Sequence, residues 1–419
     1  MPRFIYTILL FLALPFVPLK LLWRGIKQPE YLRHWDERFG FYSTPTTKPI
    51  IWLHCVSVGE TRAAAPLIDA LRSQYPQHQI LLTHATPTGR QTSEQLFGDS
   101  VGRVYLPYDV PFAVNHFLAH FKPSIGLLME TELWFNLIAA CKRENMPLLL
   151  LNARLSEKSA KNYAKLGNLV KNGLRDLSAI AAQSEADATR LQMLGASDVT
   201  VAGNLKFDVK PPADSLEKGL ALRKLLGTNI GTGRTVFLAA STREGEEALV
   251  LEAIKALDIL TIIVPRHPQR FDNVETLLQS QHVHYARRSW LAEPIDSNVK
   301  VILGDSMGEL FTYYAACDFT FVGGSLLNFG GQNLIEPASM GKPVLIGPHT
   351  FNFADTTNNA VKTGAAIAVK NVAELRENIQ FLQHNLPERE KMRDAALRYS
   401  QASTGASMRM MHLIKKYLS

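Results

Sequence analysis

Three cysteines in 419 residues, far apart in the chain, are too few for a disulfide framework. Cys55, Cys141 and Cys317 each sit in an apolar run, as reduced core residues of a cytoplasmic protein do. No Asp-x-Asp occurs anywhere in the chain, which leaves little support for a carboxylate metal site. No zinc-finger spacing and no RNA-binding aromatic motif occurs either, and nucleic acid is not an expected partner. Low-complexity runs and short repeats are absent. With 46% apolar and 20% charged residues the chain reads as globular, and long disorder is excluded.

The excess of positive charge, +7, comes from the two ends. Residues 1–48 and 386–419 each hold seven Lys/Arg against three Asp/Glu, while the middle is close to neutral. Beside an apolar segment, such a basic head suits an anionic membrane surface. That segment runs from Phe4 to Leu19 without a charge, is broken by Pro15 and Pro18, and is followed by Lys20, Arg24 and Lys27. It is marginal for a spanning helix, which wants about 20 apolar residues. No small-x-small cleavage site follows, so an uncleaved anchor over 1–28 is expected, either spanning once or lying in the cytoplasmic leaflet. Tyr31–Gly40 alternates aromatics and charges; it either rests at lipid headgroups or packs on the first domain.

Beyond the anchor, strand-like runs alternate with helical patterns. Ile50–Val56, Ile80–Thr83, Arg103–Leu106, Ile125–Met129, Leu148–Leu151, Ala179–Ala182 and Val199–Ala202 form one series. Helices are expected between them, at Glu132–Arg143 and Ser184–Leu194 among others. A charged, doubly prolyl stretch then reads as a linker over 206–214. The alternation restarts with Val236–Ala240, Leu260–Val264, Val301–Leu303, Phe319–Val322, Val344–Ile346 and Ala365–Val369. Alternation of this kind implies parallel sheets with helices on both faces. The expected architecture is α/β, with a Rossmann-like domain over 29–205, a second over 215–400, a cleft between them and a last helix over 401–419.

Candidate chemistry collects where strands end, since ligands of open α/β sheets bind there. Glu60 follows the strand Ile50–Val56 and the turn Ser57-Val58-Gly59, and opens an amphipathic helix. It is either a functional acid or a first-turn acid that complements the helix dipole. Glu130 ends its own strand in Met129-Glu130-Thr131-Glu132-Leu133-Trp134 and should approach Glu60 if both strands share a sheet. Two such acids raise each other's pKa, a costly arrangement without function. A metal site at Glu130 and Glu132 is the rival reading, weakly supported by a single Glu-x-Glu.

In the second half, three loops suggest a nucleotide pocket. Gly323–Asn333 leads toward a helix carrying Glu336, and its glycines with free N–H groups would attract phosphate, although it is neither GxGxxG nor a Walker loop. Pro265-Arg266 ends a strand, with a guanidinium suited to phosphate. Gly304–Glu309 ends another, with helix-starting amides at Met307, Gly308 and Glu309.

Together these stretches resemble the Kdo transferases of lipopolysaccharide biosynthesis. The likeness runs from Arg33–Tyr42 through His54–Glu60, Thr86–Gly89, Tyr105–Asp109, Met129–Trp134, Asn152–Leu155, Leu205–Asp208, Ser241–Glu247, Pro265–Arg270 and Gly304–Leu310 to Gly347–Phe353. The resemblance implies a GT-B fold and inverting transfer of Kdo from CMP-Kdo to the lipid A precursor (lipid IVA), without a metal, at the cytoplasmic face of the inner membrane. It places a general base on Glu60 and transition-state stabilisers on Glu130 and Lys206. CMP contacts fall on Pro265, Arg266, Met307, Gly308, Glu309, Asn333, Leu334, Ile335 and Glu336. The chain departs from the family pattern at Phe135, where proline is usual, and at Gln332, where histidine is common. A UDP-sugar enzyme and a non-catalytic, hinge-closing binding protein are the alternatives; neither explains the paired acids together with the membrane head.

Overall fold

The structure is a computed structural model that describes residues 1–43, 48–208, 211–228 and 233–418. It divides into two units, Met1–Asp208 with Ser403–Ser419, and Val209–Ala402. Each is built on a parallel seven-stranded sheet, as expected for buried β-branched and leucine-rich runs separated by helices.

In the first unit the strands are β1 (Ile50–His54), β2 (Gln79–His84), β3 (Gly102–Tyr105), β4 (Ile125–Met129), β5 (Leu148–Ala153), β6 (Ala179–Ala182) and β7 (Val199–Val201). Their order is β3-β2-β1-β4-β5-β6-β7, so the chain reverses its direction of travel between β1 and β4. Those two strands pair in parallel, His54 opposite Leu128. Both faces of the sheet are covered: Trp52, Phe117 and Leu150 pack on one side and Leu53, Leu67 and Leu151 on the other. All three cysteines are buried free thiols.

The second unit holds β8 (Val236–Thr242), β9 (Leu260–Pro265), β10 (Tyr285–Arg287), β11 (Val301–Leu303), β12 (Phe319–Val322), β13 (Val344–Ile346) and β14 (Ala366–Ala368). The order β10-β11-β9-β8-β12-β13-β14 puts the reversal between β8 and β12. β10 is the strand that the sequence pattern hides. It is a three-residue edge, half-buried throughout and ending in a charge, too short for an alternation to register.

The amino terminus is helical over Arg3–Ala13 and Val17–Lys27, with a 3-10 turn at Leu14–Phe16 where Pro15 interrupts the bonding. Arg3–Ile26, with a mean hydropathy of 2.1, is long and apolar enough to cross a membrane. Its first turns are tied to the first unit by polar bonds. The Met1 ammonium donates to the Leu166 carbonyl (2.6 Å), the Tyr6 hydroxyl to Asp109 (2.8 Å) and the Thr7 hydroxyl to Asn136 (2.9 Å). Phe4, Leu12, Phe16, Trp23 and Ile26 face outward, more than half exposed. Tyr31–Gly40 is not one helix but two 3-10 turns, Pro29–Leu32 and Asp36–Phe39. It packs on the unit: buried Glu37 accepts from the Tyr105 N–H and from Arg90, both at 2.7 Å.

The helix expected from Glu132 starts later, at Phe135. Asp109 explains the boundary, because its carboxylate accepts from the Asn136 and Leu137 N–H groups at 3.0 and 2.8 Å and so caps the helix there. Phe135, in the position where proline is usual, fills the hollow beside Gly173, where an added Cβ would lie 2.7 Å from the ring. It also meets Tyr6 edge-on at 5.3 Å. The substitution is one of packing.

The expected linker begins inside the first unit, where Leu205–Asp208 forms a 3-10 helix; Val209 and Lys210 lie outside the described residues. The chain returns to this unit in the helix Ala406–Lys415, packed on the helix Val58–Gln74. Asp208 clasps the returning helix, its carboxylate accepting from the Gly405 N–H (2.6 Å), the Ala406 N–H (3.2 Å) and Ser407. Loss of such a cap costs about 1–2 kcal/mol. Asp208→Ala is therefore expected to lower the thermal midpoint of the first unit, as followed by circular dichroism, and to leave nucleotide affinity as it was.

Candidate functional site

At the carboxyl edge of the first sheet, β1 passes through Cys55-Val56-Ser57 into the helix Val58–Gln74. Ser57 is its N-cap and Glu60 its third residue, which is the spacing of a capping box. The Ser57 hydroxyl donates to Glu60 Oε1 at 2.7 Å, and the Val56 N–H to Oε2 at 2.8 Å. Each oxygen keeps a further lone pair. Burial pushes the Glu60 pKa up, the Ser57 and Val56 bonds oppose it, and the Glu130 charge adds to the rise. Glu60 thus caps its helix, as the helix-dipole reading expects, and is also an acid whose pKa burial raises.

Glu130 sits one residue beyond β4, on the strand beside β1, and its backbone takes a left-handed φ of 58°. Its N–H is bonded to the Leu151 carbonyl of β5 at 2.9 Å. Such a conformation is uncommon for a side-chain-bearing residue and is stored where surroundings enforce it, often at functional sites. Glu132, two residues on, has its pKa pushed up to about 7 by burial, then by the charges of Glu60 and Glu130. Among the described residues no group of three acids, histidines or cysteines is arranged to hold a metal ion. The metal reading of Glu130 and Glu132 has no geometric support.

The two histidines of this edge are structural. His54 Nδ1 meets the Thr83 carbonyl and hydroxyl at 3.0 and 2.9 Å, and burial lowers its pKa to about 3. His84 spans the Cys55 carbonyl and Ser93 Oγ, both at 3.0 Å, and burial lowers it to about 4. Both are weak bases, held well below the ordinary imidazole range by burial. Lys206 lies in the 3-10 helix Leu205–Asp208, held to the same edge by a bond from the Leu205 N–H to Asn152 Oδ1 at 3.0 Å. The first unit therefore brings Glu60, Glu130 and Lys206 to one edge of one sheet.

In the second unit the glycine-rich loop corrects an expectation. The N–H groups of Gly324, Ser325 and Leu326 are not free for phosphate; they donate to the carboxylate of Glu246, at 2.5, 3.0 and 2.9 Å. Glu246 is fully buried and also accepts from the Arg243 N–H (2.9 Å), so an internal carboxylate fills the anion nest. Gly323 is required at the turn, because a Cβ there would come within 2.6 Å of the Ser241 carbonyl. The next residue, Glu247, forms a buried two-pronged pair with Arg270 at 2.8 and 3.0 Å, which fastens the Pro265–Arg270 loop. Arg266 is thereby left exposed at the strand end, its own N–H bonded to the Thr242 carbonyl at 3.0 Å. His267 beside it has its pKa lowered by partial burial and by Arg243, Arg266 and Arg270.

The Gly304–Glu309 loop is braced from the edge strand that the sequence did not reveal. Arg287 Nε donates to Asp305 at 2.6 Å and Arg288 Nη2 to Glu309 at 3.0 Å, while the Ser306 hydroxyl bonds Glu309 at 2.5 Å. Glu309 stands as N-cap of the helix Leu310–Ala316, with Met307 exposed and Gly308 at a φ of 79°. The helix bearing Glu336 is a single turn, Ile335–Ser339; Asn333 accepts from the Ile335 N–H at 3.1 Å and donates to Glu336 at 3.3 Å. Leu334 and Ile335 are buried. Pro265, Arg266, Met307, Gly308, Glu309 and the Asn333–Glu336 turn all lie at or just beyond strand ends of this one sheet. Sequence reasoning missed Glu246, Glu247, Arg287, Arg288, Asn152 and Asp109, because a bracing residue shows no pattern until its partner, tens of residues away, is in place.

Comparison with known proteins decides the family. Residues 33–209 match the 3-deoxy-D-manno-octulosonic-acid transferase (kdotransferase) family, and residues 236–399 match glycosyl transferases group 1. Over their full lengths this chain and a 3-deoxy-D-manno-octulosonic acid transferase of Bordetella pertussis are 39% identical. The chain belongs to that family. The transferase is also 37% identical to the Haemophilus influenzae enzyme of that name, over 99% of both chains. Among solved structures it is similar in fold to a UDP-GlcNAc 2-epimerase of Neisseria meningitidis, at a TM-score of 0.58, 18% identity and coverage of 88% of this chain and all of that one. A glycosyltransferase of Rickettsia africae gives 0.57 at 15% identity, covering 89% and 98%. The α/β class inferred from the alternation, and the GT-B fold that the resemblance implies, are thus the observed ones.

Glu132 supplies a stability test of this charge cluster. Its folded pKa of about 7 stands above the ordinary value of 4.5, so the folded state binds the extra proton and loses stability as pH rises through 7. Glu132→Gln is expected to melt at a higher temperature than the native protein at pH 8, the difference shrinking toward pH 5. Equal shifts at both pH values in differential scanning calorimetry would contradict the assignment.

Proposed function

We propose that this protein is an inverting glycosyltransferase that moves Kdo from CMP-Kdo to a hydroxyl of the lipid A precursor. Glu60 accepts the proton of that hydroxyl as its oxygen bonds to the anomeric carbon, and the bond from that carbon to the phosphate oxygen breaks. CMP leaves as a phosphate monoester with the bonding pair. Attack opposite the leaving group inverts the centre. The carboxylate at the reversal between β1 and β4 carries this reading. Burial raises its basicity, two hydrogen bonds orient it, and the nearby His54 and His84 are weaker bases, their pKa values lowered by burial to about 3 and 4.

Glu130 and Lys206, assigned as transition-state stabilisers, bring one charge of each sign to the same edge. Charge developing on the reacting sugar and on the departing phosphate needs fixed partners of this kind. On the second unit, Arg266 with the Met307–Glu309 and Asn333–Glu336 turns forms the CMP site. The filled glycine nest shifts phosphate recognition toward Arg266. The reaction as written requires no metal.

The enzyme works at the cytoplasmic face of the bacterial inner membrane, a reading that the apolar amino-terminal helix supports. The bonds from Met1, Tyr6 and Thr7 to the first unit favour a helix lying along the leaflet, since a spanning helix would have to break all three. Its outward phenylalanines and leucines would enter the acyl region from which the acceptor presents its sugar.

Two measurements test the proposal. Glu60→Gln is expected to reduce turnover of CMP-Kdo by about 10²–10⁴-fold, the usual worth of a positioned base, with CMP affinity unchanged. Turnover within a few-fold of the native enzyme, with product confirmed by mass spectrometry, would remove Glu60 as base. A cysteine placed at Thr7 should be labelled from neither the periplasmic nor the cytoplasmic side while the helix is docked. A label reaching Met1 from the periplasm would establish a span instead.

A further inference from the structure

We infer that Asn152 is a positioning residue for the transfer, holding Glu130 and Lys206 in one frame; this rests on the roles proposed for those two residues. β5 does not run regularly to its end. Its pairing with β6 slips between Leu150 and Ala153, and at the slip Asn152 takes a left-handed φ of 53°. Asparagine tolerates that conformation better than most side chains, and an irregularity of this kind re-aims the residue it contains. Here the side chain, fully buried, is aimed at the 3-10 helix that carries Lys206.

Three bonds converge on the spot. Asn152 Oδ1 accepts from the Leu205 N–H at 3.0 Å, one residue before Lys206. The Asn152 carbonyl accepts from Gln183 Nε2 at 3.0 Å, which steadies the bulge from β6. The carbonyl of Leu151, adjacent in the chain, accepts from the Glu130 N–H at 2.9 Å. A single irregular dipeptide thus borders the backbone of both charged residues. Its amide nitrogen, Asn152 Nδ2, is buried without a hydrogen-bond partner among the described residues. A purely architectural asparagine would have both ends satisfied; here the amide is oriented for the sake of its oxygen. The Lys206 N–H is restrained from a second side by Asn204 Oδ1 at 2.9 Å.

The test uses the full-length enzyme in detergent. Asn152→Gly keeps the left-handed backbone, which glycine adopts readily, and deletes only the amide. Its kcat is expected to fall roughly 10–100-fold, the scale of a misplacement of about 1 Å, with KM for CMP-Kdo unchanged within about twofold. In a Lys206→Ala background the same change should cost less than about threefold, because residues acting through one another are not additive. Hydrogen exchange at the Leu205 amide should quicken in the glycine variant, which a change confined to the core would not produce. Asn204→Ala, at a half-buried turn, provides the second variant; a kcat loss of about 3–10-fold, again absent in the Lys206→Ala background, is expected. A folded Asn152→Gly enzyme with native kcat, or losses that multiply with Lys206→Ala, would overturn the positioning role while leaving the proposed function intact. Full turnover by Lys206→Ala alone would overturn the role of Lys206 and this inference with it.

Discussion

Repulsion between like charges at the reversal of the first sheet is the constraint around which that unit is arranged. β1 and β4 are neighbours although six other elements of the chain lie between them, and each leads to a glutamate at the same carboxyl edge. Glu130 raises the pKa of Glu60, and both raise that of Glu132. A fold selected only for stability would not assemble three acids there. The surrounding groups answer the repulsion locally: Ser57 and the Val56 amide on Glu60, and Lys206 brought to the edge by Asn152. The two buried histidines of the same strands, His54 and His84, have their pKa values lowered by burial, so they stay uncharged and are weak bases.

The second unit treats negative charge in the opposite way. Its reversal, between β8 and β12, has a nest of amides that would suit a phosphate, and the protein fills it with its own Glu246. The loop is then rigid before any ligand arrives, and recognition is left to groups around its rim. Glu247 and Arg270 do the same for the Pro265–Arg270 loop, and Arg287 with Arg288 for Gly304–Glu309. Each of these strand-end loops is therefore fastened by charged groups behind it, with Arg266 and Met307 left exposed. Holding loops beforehand lowers the ordering cost of binding.

How far the sequence is legible depends on the range of the interaction. All thirteen strand-like runs that it shows became strands of one of the two sheets. The edge strand Tyr285–Arg287 escaped because half-buried three-residue edges carry no period. Helix starts were displaced where a distant group sets them: Asp109 moves the start from Glu132 to Phe135 across 26 residues of chain. The glycine-rich loop was misjudged for the same reason, since nothing near Gly324 in the chain announces that Glu246 will occupy its amides. Tyr31–Gly40, open to either a membrane or a packed role, was decided by Arg90 and the Tyr105 amide.

Composition and periodicity by themselves determined an α/β chain of two parallel-sheet halves, an apolar basic head, reduced cysteines, and acids at strand ends where ligands bind. These follow from local chemistry: which residues are apolar, at what spacing, and what terminates each run. Tertiary structure alone decided that Glu60 caps its helix while burial raises its pKa, that Glu246 closes the nest, and that Asn152 turns toward the helix of Lys206. Those outcomes depend on hydrogen bonds and charges between residues distant in the chain, whose energies exist only once strand order has brought them within a few ångströms of each other.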